Sequence, residues 1–197
     1  MNRFRSFPIG FRTLAGVLIA LLLLSVAGQS FVAQPPAPLL EVHFIDVDQG
    51  DSTLIIAPDG STALIDGGLS NGKALAYLQS LSLDRLDVII ATHPHQDHIA
   101  GLVDILPAFD VGGVWQPGST NTTLAFERFL TTIANEGIPF HDAGTGDVIP
   151  LGELTLDVLY GVSQAANLNN TSLVLRLAYG NVSFLFTGTR SERLSSF

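Results

Sequence analysis

The sequence contains no cysteine, which excludes disulfide scaffolds, thiolate zinc sites and cysteine nucleophiles together. Positive charge is nearly as scarce. Nine Lys and Arg stand against eighteen Asp and Glu, for a net charge of -9 and a pI near 4.7. Arg3, Arg5 and Arg12 all precede the first acid, Glu41, so from there onward six basic residues face eighteen acidic ones. Such a surface repels phosphate backbones unless bound cations or a local basic patch reverse the field, which argues against a passive nucleic-acid-coating protein. Charged residues total only 14% and hydrophobic ones 47%, so intrinsic disorder is excluded too. At 197 residues the chain has room for one domain and is short for two.

What is present begins with an address. From Thr13 to Leu40 there is no charged residue, and Leu14 to Ala27 is nearly pure Leu, Ala, Val and Ile. Three Arg precede the run and none follows closely, the flank pattern of a segment whose N-terminus stays in the cytoplasm. Two readings of residues 1–33 stay open. A signal peptide fits the short apolar stretch, with Ser25-Val26-Ala27 as a small-residue cleavage site. An uncleaved anchor fits if the run extends to Ala33, reaching about 20 residues, the thickness of a bilayer. Both deliver the rest of the chain outside the cytoplasm, secreted or held to the membrane by this segment. Residues 34–40, with Gln34-Pro35-Pro36-Ala37-Pro38, read as a stiff linker, and 41–197 as the folded domain.

Within that domain Leu40 to Val47 alternates well enough for a strand. Ser52 to Ala57 and Ser61 to Ile65 form a hairpin around Pro58-Asp59-Gly60. Asn71 is placed to cap a helix through Leu81. Leu86 to Ala91 is wholly apolar apart from Asp87 and reads as a buried strand. A helix is expected over Ile99–Leu106, a strand over Val111–Trp115, and a helix over Thr122–Asn135 closed by Gly137. Strands follow at Thr155–Tyr160, Ser172–Ala178 and Val182–Thr187. Helices interspersed with strands predict an α/β or α+β fold with mixed sheets.

Directly after the buried strand comes Thr92-His93-Pro94-His95-Gln96-Asp97-His98. Three of the five His in the chain fall within six residues, with a carboxylate among them. Pro94 biases His93 toward an extended conformation, and in an extended stretch His93 and His95 project to one side, so two imidazoles can converge on one ion. Asp97 and His98 come as the next helix starts and can turn toward a second ion. Imidazole and carboxylate without sulfur suit Zn, Fe or Mn. A lone HxH would read as a solvated loop, or as a helix cap in which only Asp97 matters. The full HxHxDH between an apolar strand and an apolar helix reads as a metal site.

These residues resemble the metal motif of the metallo-β-lactamase superfamily, an αββα sandwich of hydrolases with some oxidoreductases. The surroundings narrow the resemblance. His43-Phe44-Ile45-Asp46-Val47-Asp48-Gln49-Gly50-Asp51-Ser52 and Leu64-Ile65-Asp66-Gly67-Gly68 look like the opening of the extracytoplasmic hydrolase domain of ComEC-type competence (DNA-uptake) proteins. Thr92 to Leu102 is similar to that family's THPHxDHxxGL segment, with Ala100 where Gly is usual. Asn169 to Leu175 and Phe184 to Gly188 resemble its later strands. The resemblance implies two divalent ions, Zn with Mn or Fe as alternatives. His93 and His95 would hold the first ion, Asp97 and His98 the second, with Asp97 also a catalytic carboxylate. The ions would activate water against a phosphodiester substrate, DNA or nucleotide. Asp66 would orient the metal loop from behind. Asp46 and Asp51 would belong to loop structure near the site. Asp48 stands where Gly is usual, a place that asks for a left-handed backbone, which Asp tolerates. His43 and His141 match no ligand position and read as ordinary polar residues.

The resemblance also breaks. After Phe-Thr-Gly the family carries an Asp that bridges both metals; here the residue is Thr189. The later GHHGS-like segment and the second half of the sandwich are not found before Phe197. The expectation is a C-terminally truncated domain that binds fewer than two ions. The alternative to a working hydrolase is a catalytically inactive remnant that binds metal weakly. One inserted base after the Gly188 codon could restore Asp at 189, so a frameshifted tail is expected as the common cause of both departures.

Overall fold

The computed structural model describes residues 39–189. The expected leader or anchor (1–33), most of the Pro-rich linker and the tail from Arg190 lie outside the described residues. Among the described residues no helix is long and apolar enough to cross a membrane.

Two sheets stack face to face. The first is built on the expected hairpin, with β1 (Glu41–Phe44), β2 (Thr53–Ile56) and β3 (Thr62–Ile65) pairing antiparallel. It continues in parallel through β5 (Val88–Ile90), β7 (Val114–Gln116) and β8 (Phe140–Asp142), giving the order β1-β2-β3-β5-β7-β8. The second is wholly antiparallel: β9 (Val148–Leu151), β10 (Leu154–Tyr160), β11 (Val174–Tyr179) and β12 (Val182–Phe186), ordered β12-β11-β10-β9. Helices α1 (Lys73–Ser80), α2 (Gln96–Ile105) and α3 (Leu124–Glu136) complete the main elements.

A strand with both faces covered must be apolar on both, and β2 shows it. Leu54 joins the core under the helices, with Leu64, Ile89, Leu102 and Phe129, while Ile55 joins the core between the sheets, with Ile90, Leu156 and Leu175. Each such side chain removed from water contributes about 1.5–3 kcal/mol, so these two cores hold the layers in register. The outer face of the second sheet is different. Val148 and Leu185 are exposed there, and no helix among the described residues covers them. The layers seen are therefore α, β and β.

Two expected strands are each broken in the middle. Leu86–Ala91 divides into β4 (Arg85–Leu86) and β5, because the Asp87 carboxylate turns back to accept from Thr62 N at 2.8 Å. Val111–Trp115 divides into β6 (Asp110–Val111) and β7 at Gly112-Gly113, where the backbone presses on Asp87 so closely that a Cβ at Gly112 would lie 2.4 Å from its carbonyl oxygen. Helix α2 starts three residues earlier than expected, at Gln96, which puts Asp97 and His98 in its first turn. The Asn71 cap is displaced as well: its side chain accepts from Lys73 N at 3.1 Å, but Gly72, left-handed at φ 74°, is the residue at the helix start. Helix α3 follows its sequence signals, with Thr123 accepting from Phe126 N and Gly137 left-handed at the end.

Candidate metal centre

The parallel strands β3, β5 and β7 all end at one edge, the place where open α/β sheets gather functional groups. Asp66 follows β3, and His93 and His95 follow β5. Asp66 is left-handed at φ 57° and wholly buried, a strained conformation that its bonds hold in place. Its carboxylate accepts from Thr92 N at 2.8 Å, from Thr92 Oγ1 at 2.7 Å and from His98 Nδ1 at 2.7 Å. The strand ends of β3 and β5 are thereby tied to the first turn of α2. Gly67 N also donates to His98 O at 2.8 Å, and Gly101 N to Gly68 O at 3.0 Å.

His93 and His95 meet. His93 Nε2 lies 3.0 Å from His95 Nδ1, with ring centroids 4.8 Å apart and nearly perpendicular. Pro94 between them is pinned by Asn121, whose Nδ2 donates to its carbonyl at 2.9 Å. Two nitrogens each about 2.0–2.1 Å from one tetrahedral ion stand roughly 3.3 Å apart, so the pair fits a divalent ion with little movement. Protonation favours the same use: burial first, and the neighbouring His98 second, push His93 down to about 4. It is therefore neutral at physiological pH, as a ligand must be.

His98 is placed differently. Burial opposes its charge, but the hydrogen bond and charge of Asp66, with Asp51 and Asp97 behind, outweigh that and hold it above the ordinary imidazole value. Its ring centroid is 4.2 Å from that of His93. Its outer nitrogen, Nε2, lies 2.8 Å from the Thr189 hydroxyl. The Asp97 carboxylate hydrogen-bonds no histidine among the described residues; it accepts from Gln49 Nε2 at 3.3 Å. Thus His93, His95 and His98 are gathered, while Asp97 stands at the rim. Among the described residues the three-donor acidic and imidazole group is Asp51, Asp66 and His98, whose ligand atoms lie within 4.8 Å of one another. Its Asp66–His98 contact, at 2.7 Å, is the spacing of a hydrogen bond rather than of two donors around one ion. Asp51, 3.9 Å from His98 Nδ1, is a site residue that local sequence reasoning left in the loop.

The remaining acids and His take up local roles. Asp48 is left-handed at φ 66° and bonds Lys73 Nζ at 2.5 Å. Asp46 accepts from Asp48 N at 3.2 Å. His43 bonds Tyr77 Oη at 2.8 Å and Glu41 at 3.1 Å, and His141 stacks on Trp115.

A two-sheet α/β sandwich that gathers imidazoles and carboxylates at the ends of its parallel strands has the donor chemistry of a metal site. The chain belongs to the metallo-β-lactamase superfamily, whose family model matches residues 45–189. The fold of that family implies divalent metal binding. The chain is 29% identical to ComE operon protein 3 of Bacillus subtilis (strain 168) over 168 residues, covering 75% of this chain and 22% of that protein. It is 26% identical to ribonuclease Z of Methanopyrus kandleri over 107 residues, 54% of this chain and 38% of the relative. It thus spans well under half the length of either. Among solved structures it is similar in fold to CmlA, a diiron β-hydroxylase from Streptomyces venezuelae, with a TM-score of 0.52 and 18% identity over 75% of this chain and 29% of that one.

Proposed function

We propose that the protein is a ComEC-like hydrolase of phosphodiester bonds, acting outside the cytoplasm, with a zinc-type centre drawn from His93, His95, Asp97 and His98. The observation that carries the reading is the convergence of His93 Nε2 and His95 Nδ1 at 3.0 Å on the strand-end edge of the sheet. Likeness to ComE operon protein 3 supports a competence-related role, and likeness to a ribonuclease supports a phosphodiester substrate. A divalent ion held by His93, His95, Asp97 and His98 would supply Lewis-acid polarisation for a phosphodiester and lower the pKa of a nearby water.

The chain's own residues prepare the place. Asp66 holds the proton of His98 on Nδ1 and so leaves Nε2 facing outward. Asp66 and Thr92 fix the loop that carries His93. The exposed acids Asp46, Asp48 and Asp51 on the β1–β2 loop repel a polyanion, so cation binding must reverse the local sign before a phosphodiester can approach. One contact favours a second reading, a remnant that binds metal without turnover: the Thr189 hydroxyl occupies the outer nitrogen of His98.

The test is cleavage of bis(p-nitrophenyl) phosphate by the metal-loaded full chain, beside a thioester and a β-lactam. Phosphodiester cleavage supports the proposal; cleavage of the thioester or β-lactam alone overturns it. Metal binding with no turnover on any of them identifies the remnant. His95→Ala should lose most bound metal and His43→Ala should keep it, and equal metal content in the two would overturn the ligand assignment.

A further inference from the structure

We propose that this chain binds one divalent ion rather than two, and that Thr189 is the residue that closes the second position. The inference rests on the metal-centre reading above and concerns its occupancy. Donor atoms decide it. His93 Nε2 and His95 Nδ1 already point at a common place. Asp97, whose carboxylate accepts a long 3.3 Å bond from Gln49, is assigned as the third donor to that pair. Together they make three protein donors, the usual number for a catalytic ion that keeps a position for water.

His98 cannot serve a second ion on the same terms. Its Nδ1 is held by Asp66 at 2.7 Å. The other carboxylate that reaches it, Asp51, approaches the same nitrogen at 3.9 Å. Only Nε2 faces outward, and there it meets Thr189 Oγ1 at 2.8 Å. A hydroxyl is neutral and a poor ligand, whereas two dications side by side need an anion to offset their repulsion. Backbone geometry brings Thr189 to this nitrogen. Gly188 before it is left-handed at φ 53° and backed by Thr92 and Ser172, so a Cβ there would lie 3.0 Å from Thr92 Oγ1 and 3.2 Å from Ser172 Cβ. The turn at Gly188 delivers the exposed Thr189 side chain to His98.

The experiment counts ions on the chelator-stripped full chain titrated with zinc, by native mass spectrometry and calorimetry. The expected counts are one for the unmodified chain, one for Thr189→Val and two for Thr189→Asp, which puts a carboxylate on His98 Nε2. Two ions on the unmodified chain overturn the proposal and leave the metal-centre reading intact. A count that stays at one in Thr189→Asp overturns the role given to Thr189. An ion retained in full by His95→Ala overturns the metal-centre reading itself.

Discussion

Asp66 and His98, 32 positions apart in sequence, meet at 2.7 Å with their side chains 0% and 2% exposed. The contact joins the end of β3 to the first turn of α2 and sets which nitrogen of His98 is outward. Replacing Asp66 with Ala strips the partner from a buried imidazole and leaves Thr92 N unpaired. Breaking a buried pair this way costs about 3–5 kcal/mol, and loss of a group that orients ligands costs roughly 10–100-fold in metal affinity. Urea unfolding with chelator present and zinc calorimetry check the two parts. Unchanged affinity in a folded Asp66→Ala protein would remove Asp66 from the site.

Gly101 lies inside α2, where Ala is ordinarily the better residue by about 1 kcal/mol. Here a Cβ would sit 1.9 Å from the Gly67 carbonyl oxygen. Gly101→Ala is therefore expected to destabilise, by about 1–3 kcal/mol as overpacking does, and to displace His98 from Asp66. A melting temperature at or above that of the unmodified chain would contradict this close approach.

Burial pushes the Asp87 carboxyl up, but the Thr62 N–H bond and the Arg85 guanidinium outweigh it and hold it below the ordinary carboxylate value. A depressed folded-state pKa gives stability that is present above the unfolded value, about 3.9, and lost as pH falls through the lowered one. Asp87→Asn should be less stable at neutral pH and should lose less on acidification below about pH 4 than the unmodified chain. Parallel stability curves for the two proteins would count against the linkage.

The uncharged run from Thr13 to Leu40 behind three Arg predicts export. Protease added to intact spheroplasts is expected to digest the domain, and full protection with a sealed membrane would refute the topology. The mass of the mature protein separates a cleaved signal from a retained anchor.

Local chemistry alone determined a good part of this protein. The Pro58-Asp59-Gly60 turn, the Gly137 end of α3 and the HxHxDH run all follow from spacing and backbone preference between near neighbours, and each stands in the fold. The edge strand β8 and the strand β9 carried no such signal. Phe140–Asp142 is three exposed residues that become a strand only by pairing with β7, and Val148–Leu151 becomes one by pairing with β10. The breaks at Asp87 and Gly112 likewise depend on contacts across strands. At the site, the tertiary structure alone decided that Asp66, Asp51 and Thr189 approach the same imidazole from 32, 47 and 91 positions away. Periodicity records what one stretch of backbone prefers, whereas these contacts exist only once burial of two shared cores has brought the strand ends together.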